Sequence, residues 1–143
     1  MRIITGSARG CRLKAPPGEA TRPTADRTRE ALFSMLGSRV MDAQVLDLFA
    51  GTGALALEAL SRGAAHAVMI DRATHDVLVE NARRTKLAQR VELRRGDVYG
   101  HAAELARAGR TFDLIFADPP YAKGDALRVL RAVDSGVLLA AAG

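Results

Sequence analysis

A single cysteine, no tryptophan, two tyrosines and four phenylalanines make this 143-residue chain poor in the side chains that staple or cluster small proteins. Cys11 alone excludes an internal disulfide framework and a multi-cysteine zinc site. The histidines His66, His75 and His101 are scattered without metal-ligand spacing, so no metal site is expected. No stretch of 18 apolar residues occurs, which excludes a helical membrane span and a membrane partner. The start, Met1-Arg2-Ile3-Ile4-Thr5-Gly6, lacks the apolar core of a signal peptide, and a cytoplasmic location is the expectation. There is no Gly-Lys-Ser/Thr phosphate loop, which argues against an NTPase.

What is present is ordinary globular composition, 48% apolar and 26% charged, in a length that suits one domain. Charge is distributed unevenly. The net charge is +5, and all of it falls in residues 1–40, where eight basic residues face Glu19, Asp26 and Glu30. Residues 41–143 are neutral. The boundary expected is therefore a basic 1–40 segment, suited to a polyanion, and a 41–143 core.

Residues 2–5 and 10–14 read as a short β-hairpin, residues 15–23 as a proline-rich loop, and a helix is expected from near Thr24 to Gly37. Strands follow at 45–49, 68–71, 91–94 and 112–117. Helices alternate with them at 54–61, from Thr74 as cap to about Lys86, at 101–108 and at 124–133. The alternation predicts an α/β fold with a doubly wound, mostly parallel sheet, whose ligands sit outside the carboxyl ends of the strands.

The informative residues fall at that edge. Residues 51–56 match G-x-G-x-x-A directly after a strand, where glycines admit a close ligand and a helix N-terminus offers free N–H groups. Asp71 ends the second strand, where an acid accepts ribose hydroxyls or simply caps the next helix. Asp97 after the third strand is either a ligand residue or a turn aspartate behind Gly96. Asp118-Pro119-Pro120-Tyr121 closes the fourth strand. Its carboxylate, its main-chain carbonyls freed of neighbouring N–H donors, and its aromatic ring suit a planar base bearing an exocyclic amine. An amine of that kind is found on guanine and on adenine; DPPY by itself resembles the motif of amino-methyltransferases acting on a base, and that likeness implies methylation of guanine N2 or of adenine N6 in DNA or RNA. A nicotinamide oxidoreductase would use the glycine motif but leaves residues 118–121 unexplained. A non-enzymatic RNA-binding fragment is a further reading.

The stretch TRPTADRTREALF (21–33), VLDLFAGTGALALEALSRGA (45–64) and DPPY (118–121) resembles the RsmD family of bacterial ribosomal RNA methyltransferases. The opening MRII and the Gly10–Lys14 strand are similar too. The resemblance implies a Rossmann-like class I methyltransferase fold with a small N-terminal hairpin. It implies transfer of a methyl group from S-adenosylmethionine to the exocyclic N2 of a guanine in 16S rRNA, within a 30S subunit or assembly intermediate. Asp47, Ala50, Gly51, Thr52 and Gly53 would line the methionine and ribose part of the cofactor, Asp71 its ribose hydroxyls and Asp97 its adenine, with Thr24 closing the site. Asp118, Pro119, Pro120 and Tyr121 would hold the target base. Arg2, Arg9, Arg12, Lys14, Arg22, Arg27 and Arg29 would grip RNA phosphates. The family's sheet continues beyond the helix after DPPY, so this chain is expected to lack those C-terminal strands, with strand four left at an edge.

Overall fold

The computed structural model describes residues 1–16, 23–118 and 125–136. Four strands, β1 (Gln44–Leu48), β2 (His66–Asp71), β3 (Val91–Arg95) and β4 (Leu114–Ala117), form a wholly parallel sheet in the order β3-β2-β1-β4. Parallel neighbours require crossovers. These are the helices α2 (Ala54–Ser61), α3 (His75–Arg84) and α4 (Val98–Arg107); α1 (Pro23–Leu36) precedes the sheet and α5 (Asp125–Gly136) follows it.

Side-chain alternation along the strands builds two cores. Val45, Ala67 and Met69 point to the face covered by α2, α3, Phe33 of α1, and Ile3 and Leu13 of the N-terminal segment. Leu46, Leu48, Val68 and Ile70 point to the other face, against Val98, Ala102 and Leu105 of α4 and Val129 of α5. Because both faces are covered, the central strands are apolar throughout rather than alternating with polar residues. The chain winds from β1 outward to β3 on one face and returns through α4 on the other. The winding reverses between β1 and β4, which is where such sheets open a ligand crevice.

The expected N-terminal hairpin is short, one antiparallel bridge from Arg2 to Arg12, with Ile3 N–H donating to the Cys11 carbonyl (3.0 Å) and Leu13 N–H to that of Met1 (2.9 Å). The ladder stops at Ile3, whose carbonyl accepts Gly10 N–H (2.8 Å) while Cys11 N–H turns back to the Ala8 carbonyl (3.0 Å), and α2 engages the backbone donors that follow. Ile4 and Thr5 N–H donate to the Glu58 carboxylate (2.9 and 3.1 Å), Ser7 N–H to the Ser61 carbonyl (2.9 Å) and Ala8 N–H to Ser61 Oγ (2.9 Å). Gly6, at φ +95°, passes so close that a Cβ there would lie 1.8 Å from the Ser61 carbonyl oxygen.

Glu58 is wholly buried and holds this junction together. Besides the two backbone donors it pairs with Arg29 (3.2 Å) and Arg62 (3.0 Å), and Arg29 also donates to the Arg2 carbonyl. Glu58→Ala is expected to cost about 3–5 kcal/mol, because two guanidinium groups and two N–H groups lose their acceptor in a dry site. Thermal unfolding should then fall by roughly 10–20 °C. A melting temperature unchanged within error would remove the junction from the account of stability.

Other boundaries move for local reasons. α4 starts at Val98, not His101, because Asp97 caps it, accepting from Gly100 N–H (2.9 Å). β4 starts at Leu114, not Phe112. Asp113 is engaged by Gln44, giving its N–H to the Gln44 carbonyl (2.8 Å) and accepting Gln44 N–H at Oδ2 (2.8 Å), while Phe112 packs into the second core. Thr74 stands at the cap position of α3 but its side chain makes no capping bond. Asp71 Oδ1 instead holds the turn that leads into the helix, accepting from the N–H groups of Ala73 (2.8 Å) and Thr74 (3.1 Å).

Candidate active site

The crevice between the ends of β1 and β4 is framed by the loop after β1. Ala50 N–H donates to the Ile70 carbonyl (2.9 Å) and Gly53 N–H to that of Ala50 (2.8 Å), folding the loop tightly against β2. Phe49, Gly51 and Gly53 all take left-handed backbone angles, at φ +62°, +60° and +82°. The two glycines are needed for different reasons. A Cβ on Gly53 would press within 3.1–3.3 Å of Leu78, Met69 and Leu57, so this residue lets α2 close on the sheet. Among the described residues a Cβ on Gly51 would meet nothing within 4 Å, so the backbone there leaves room for a ligand.

Three carboxylates surround that opening. Asp47, on β1, is 2% exposed, and its Oδ2 has no hydrogen-bond partner among the described residues. Burial pushes its pKa up to about 8; the Ala56 backbone N–H opposes the shift, and the negative charges of Asp71 and Asp118 add to it. A buried carboxyl oxygen left without a partner is an acceptor that a ligand can complete. Asp71, half-buried at the end of β2, accepts Gly51 N–H at Oδ2 (2.9 Å) while its Oδ1 holds the turn before α3. It thus ties the glycine loop to the adjoining strand and keeps acceptor capacity on Oδ2 for one hydroxyl. Asp118 is exposed, directly after β4, whose Ala117 pairs in register with Leu48.

Asp47, Ala50, Gly51, Thr52, Gly53, Asp71 and Asp118 therefore gather at one end of the sheet. Asp97 follows β3, two strands away from β1, with one oxygen committed to its helix. Thr24 falls in the first turn of α1. Pro119, Pro120, Tyr121 and Arg22 lie outside the described residues. One expectation is corrected: Arg29 is 3% exposed and held by Glu58, Asp26 and the Arg2 carbonyl, so it cannot reach a phosphate. Arg2, Arg9, Arg12, Lys14 and Arg27 are exposed.

Two residues that position the site carry no motif. Asn81, fully buried on α3, donates from Nδ2 to the Thr52 carbonyl (2.8 Å) and the Lys14 carbonyl (2.9 Å), and accepts Lys14 N–H at Oδ1 (2.6 Å). It fastens the glycine loop to the basic N-terminal segment. Glu58 does the corresponding work behind the loop. The available signal for both was a polar residue at an inward position of an otherwise apolar helix face.

A parallel sheet of order 3-2-1-4, with a glycine loop after its first strand and an acid closing the second, is the Rossmann-like fold of class I methyltransferases. A solved structure with this fold, "Putative methyltransferase yhhF from Escherichia coli", superposes with a TM-score of 0.85 at 39% identity, covering 98% of this chain and 75% of that one. The chain belongs to the family described as conserved hypothetical protein 95, the RsmD family, whose model matches residues 1–143. Ribosomal RNA small subunit methyltransferase D of Escherichia coli (strain K12) is 44% identical over 128 residues, 87% of this chain and 62% of that protein. "Putative rRNA methyltransferase YlbH" of Bacillus subtilis (strain 168) is 36% identical over 141 residues, 97% of this chain and 77% of that protein. The chain thus spans less than two thirds of the first of these relatives and about three quarters of the second.

Proposed function

We propose that this chain is an S-adenosylmethionine-dependent methyltransferase that modifies the exocyclic N2 of a guanine in small-subunit ribosomal RNA. The observation that carries the reading is Asp47: a buried carboxyl whose Oδ2 has no hydrogen-bond partner among the described residues, at the topological switch of the sheet, next to the Gly51 backbone. That donor set fits a ligand that is cationic, carries hydroxyls and needs a close backbone approach. S-adenosylmethionine has all three properties, and when bound it supplies an electrophilic methyl group on sulfonium sulfur. Similarity to ribosomal RNA small subunit methyltransferase D supports the choice of RNA.

The chain's own residues have three tasks. Asp47, Asp71 and the Gly51–Gly53 loop would bind and orient the cofactor, with Asp71 accepting a ribose hydroxyl at Oδ2 and Asp97 standing toward the adenine. Asp118 would accept a hydrogen bond from the guanine amine. The amine's lone pair is delocalised into the ring, and a carboxylate acceptor favours a more pyramidal, more nucleophilic nitrogen and stabilises the positive charge that develops there. Pro119 and Pro120 would present carbonyls to the second N–H, and Tyr121 would stack on the extruded base. Residues 1–40 would serve as the docking part, with Arg2, Arg9, Arg12, Lys14, Arg22 and Arg27 contacting phosphates and Thr24 closing over the cofactor. No covalent enzyme intermediate is needed. Orientation of nucleophile and methyl group within ~3–3.5 Å supplies much of the acceleration.

The test is transfer of labelled methyl from S-adenosylmethionine to unmodified 30S particles, followed by nucleoside analysis. Label in N2-methylguanosine is expected. Label in N6-methyladenosine, or cofactor binding without any transfer, would overturn the substrate assignment.

A further inference from the structure

The basic N-terminal segment does not stand alone on the surface. Residues 11–14 lie along the last turn of α3: Cys11 Sγ is 3.8 Å from the Arg84 carbonyl, and Lys14 is clasped at both backbone groups by Asn81. Arg12 and Lys14, both exposed, are thereby brought beside the exposed Arg83, Arg84 and Lys86, which are far from them in sequence.

Four other arginines beyond residue 60 are tied to groups elsewhere in the fold. Arg90 caps α2 through the carbonyls of Leu60 and Ala64, Arg62 is bound to buried Glu58, and Arg94 and Arg110 bracket Glu92. Arg83 and Arg84 differ. Their side chains are 70% and 39% exposed, and their partner is Glu80, one turn back on the same helix (2.5 and 3.0 Å). Exposed pairs of this kind contribute little to stability and are readily exchanged for a stronger anion. The strip also leads to the site, because the Asn81 amide that clasps Lys14 also holds the Thr52 carbonyl (2.8 Å).

We propose that Arg12, Lys14, Arg83, Arg84 and Lys86 form one continuous track for the phosphodiester backbone of RNA, ending at the glycine loop. The proposal rests on the RNA-methyltransferase reading and adds to it the last turn of α3, which carries no nucleic-acid motif. Glu80 is the built-in competitor. Its two arginine partners hold its carboxyl down at about 2, so it stays ionised wherever RNA would bind.

The experiment compares binding of a 16S rRNA transcript to the full chain, to the triple variant Arg83→Gln/Arg84→Gln/Lys86→Gln and to Glu80→Gln, across a salt series. Each variant's affinity for S-adenosylhomocysteine is measured in parallel. The triple variant should bind RNA about tenfold or more weakly, and its log Kd against log salt should flatten by about 2, the value for three lost phosphate contacts on a single strand. Glu80→Gln should bind RNA more tightly than wild type, since it releases two guanidinium groups. S-adenosylhomocysteine affinity should be unchanged in both. If wild type binds RNA and the triple variant keeps its affinity and salt slope, the track is wrong while the parent reading survives. If wild type itself binds no RNA, the parent reading fails with it.

Discussion

Asp118→Ala is expected to slow methyl transfer on the order of 100-fold or more while leaving cofactor affinity within about twofold. The separation follows from position. Asp118 emerges from the end of β4 and is exposed, on the β4 side of the switch point, whereas the glycine loop and Asp71 that would hold the cofactor belong to β1 and β2. On the proposed mechanism its carboxylate acts on the amine only as charge develops there, so its loss appears in kcat. Turnover should be measured by labelled-methyl transfer to 30S particles, and cofactor binding by calorimetry. Near-normal turnover of the variant would remove Asp118 from the mechanism. A parallel loss of cofactor affinity would instead assign it to cofactor binding.

Asp47→Asn should have two effects of opposite sign, one on the ligand-free protein and one on binding. The native pKa of Asp47 is raised from 3.8 to about 8, first by burial and then by Asp71 and Asp118. Between those pH values the folded protein retains a proton that the unfolded chain has released. Stability from this group is therefore complete below about pH 4 and is lost as pH rises toward 8, by up to about 1.4 kcal/mol per unit. Asparagine cannot ionise, so the variant should lack this slope and should resist urea better than wild type at pH 8. Identical urea midpoints for the two proteins from pH 5 to 8 would refute the buried-acid account. Binding should respond in the other direction. A cation beside Asp47 favours its ionised form, so below pH 8 uptake of S-adenosylmethionine should release a proton, visible as a buffer-dependent heat. The variant should show no such release and should bind at least roughly tenfold more weakly at pH 8.5, where Asp47 is ionised in the wild type.

The sequence carried the architecture well where local physics decides. Apolar runs of four to six residues alternating with helical spacing define the winding. The element Ala54–Ser61 agrees with its expected bounds, because the Gly53 turn before it and the Gly63 stop after it are backbone properties. The placement of the glycine loop, Asp71 and Asp118 at the carboxyl ends of β1, β2 and β4 was legible because each follows directly on an apolar run. Legibility was poorer wherever a polar group finds its partner across the chain. Residues 2–5 and 10–14 have the composition of paired strands, yet their pairing stops at Ile3, and Glu58, more than 50 positions away, accepts the next two N–H groups. Arg29 looked like its neighbours in a basic segment, and the same carboxylate buried it.

The sequence alone determined the α/β winding, the glycine turn and the row of acids at the carboxyl edge, because periodicity and backbone freedom are local properties of the chain. Tertiary structure decided which of those polar groups remain available. It left Asp47 Oδ2 without a partner among the described residues, engaged Asp97 as a helix cap, withdrew Arg29 into the interior and set Lys14 beside the end of α3. Burial and hydrogen-bond competition depend on groups distant in sequence, and only the folded chain brings them together.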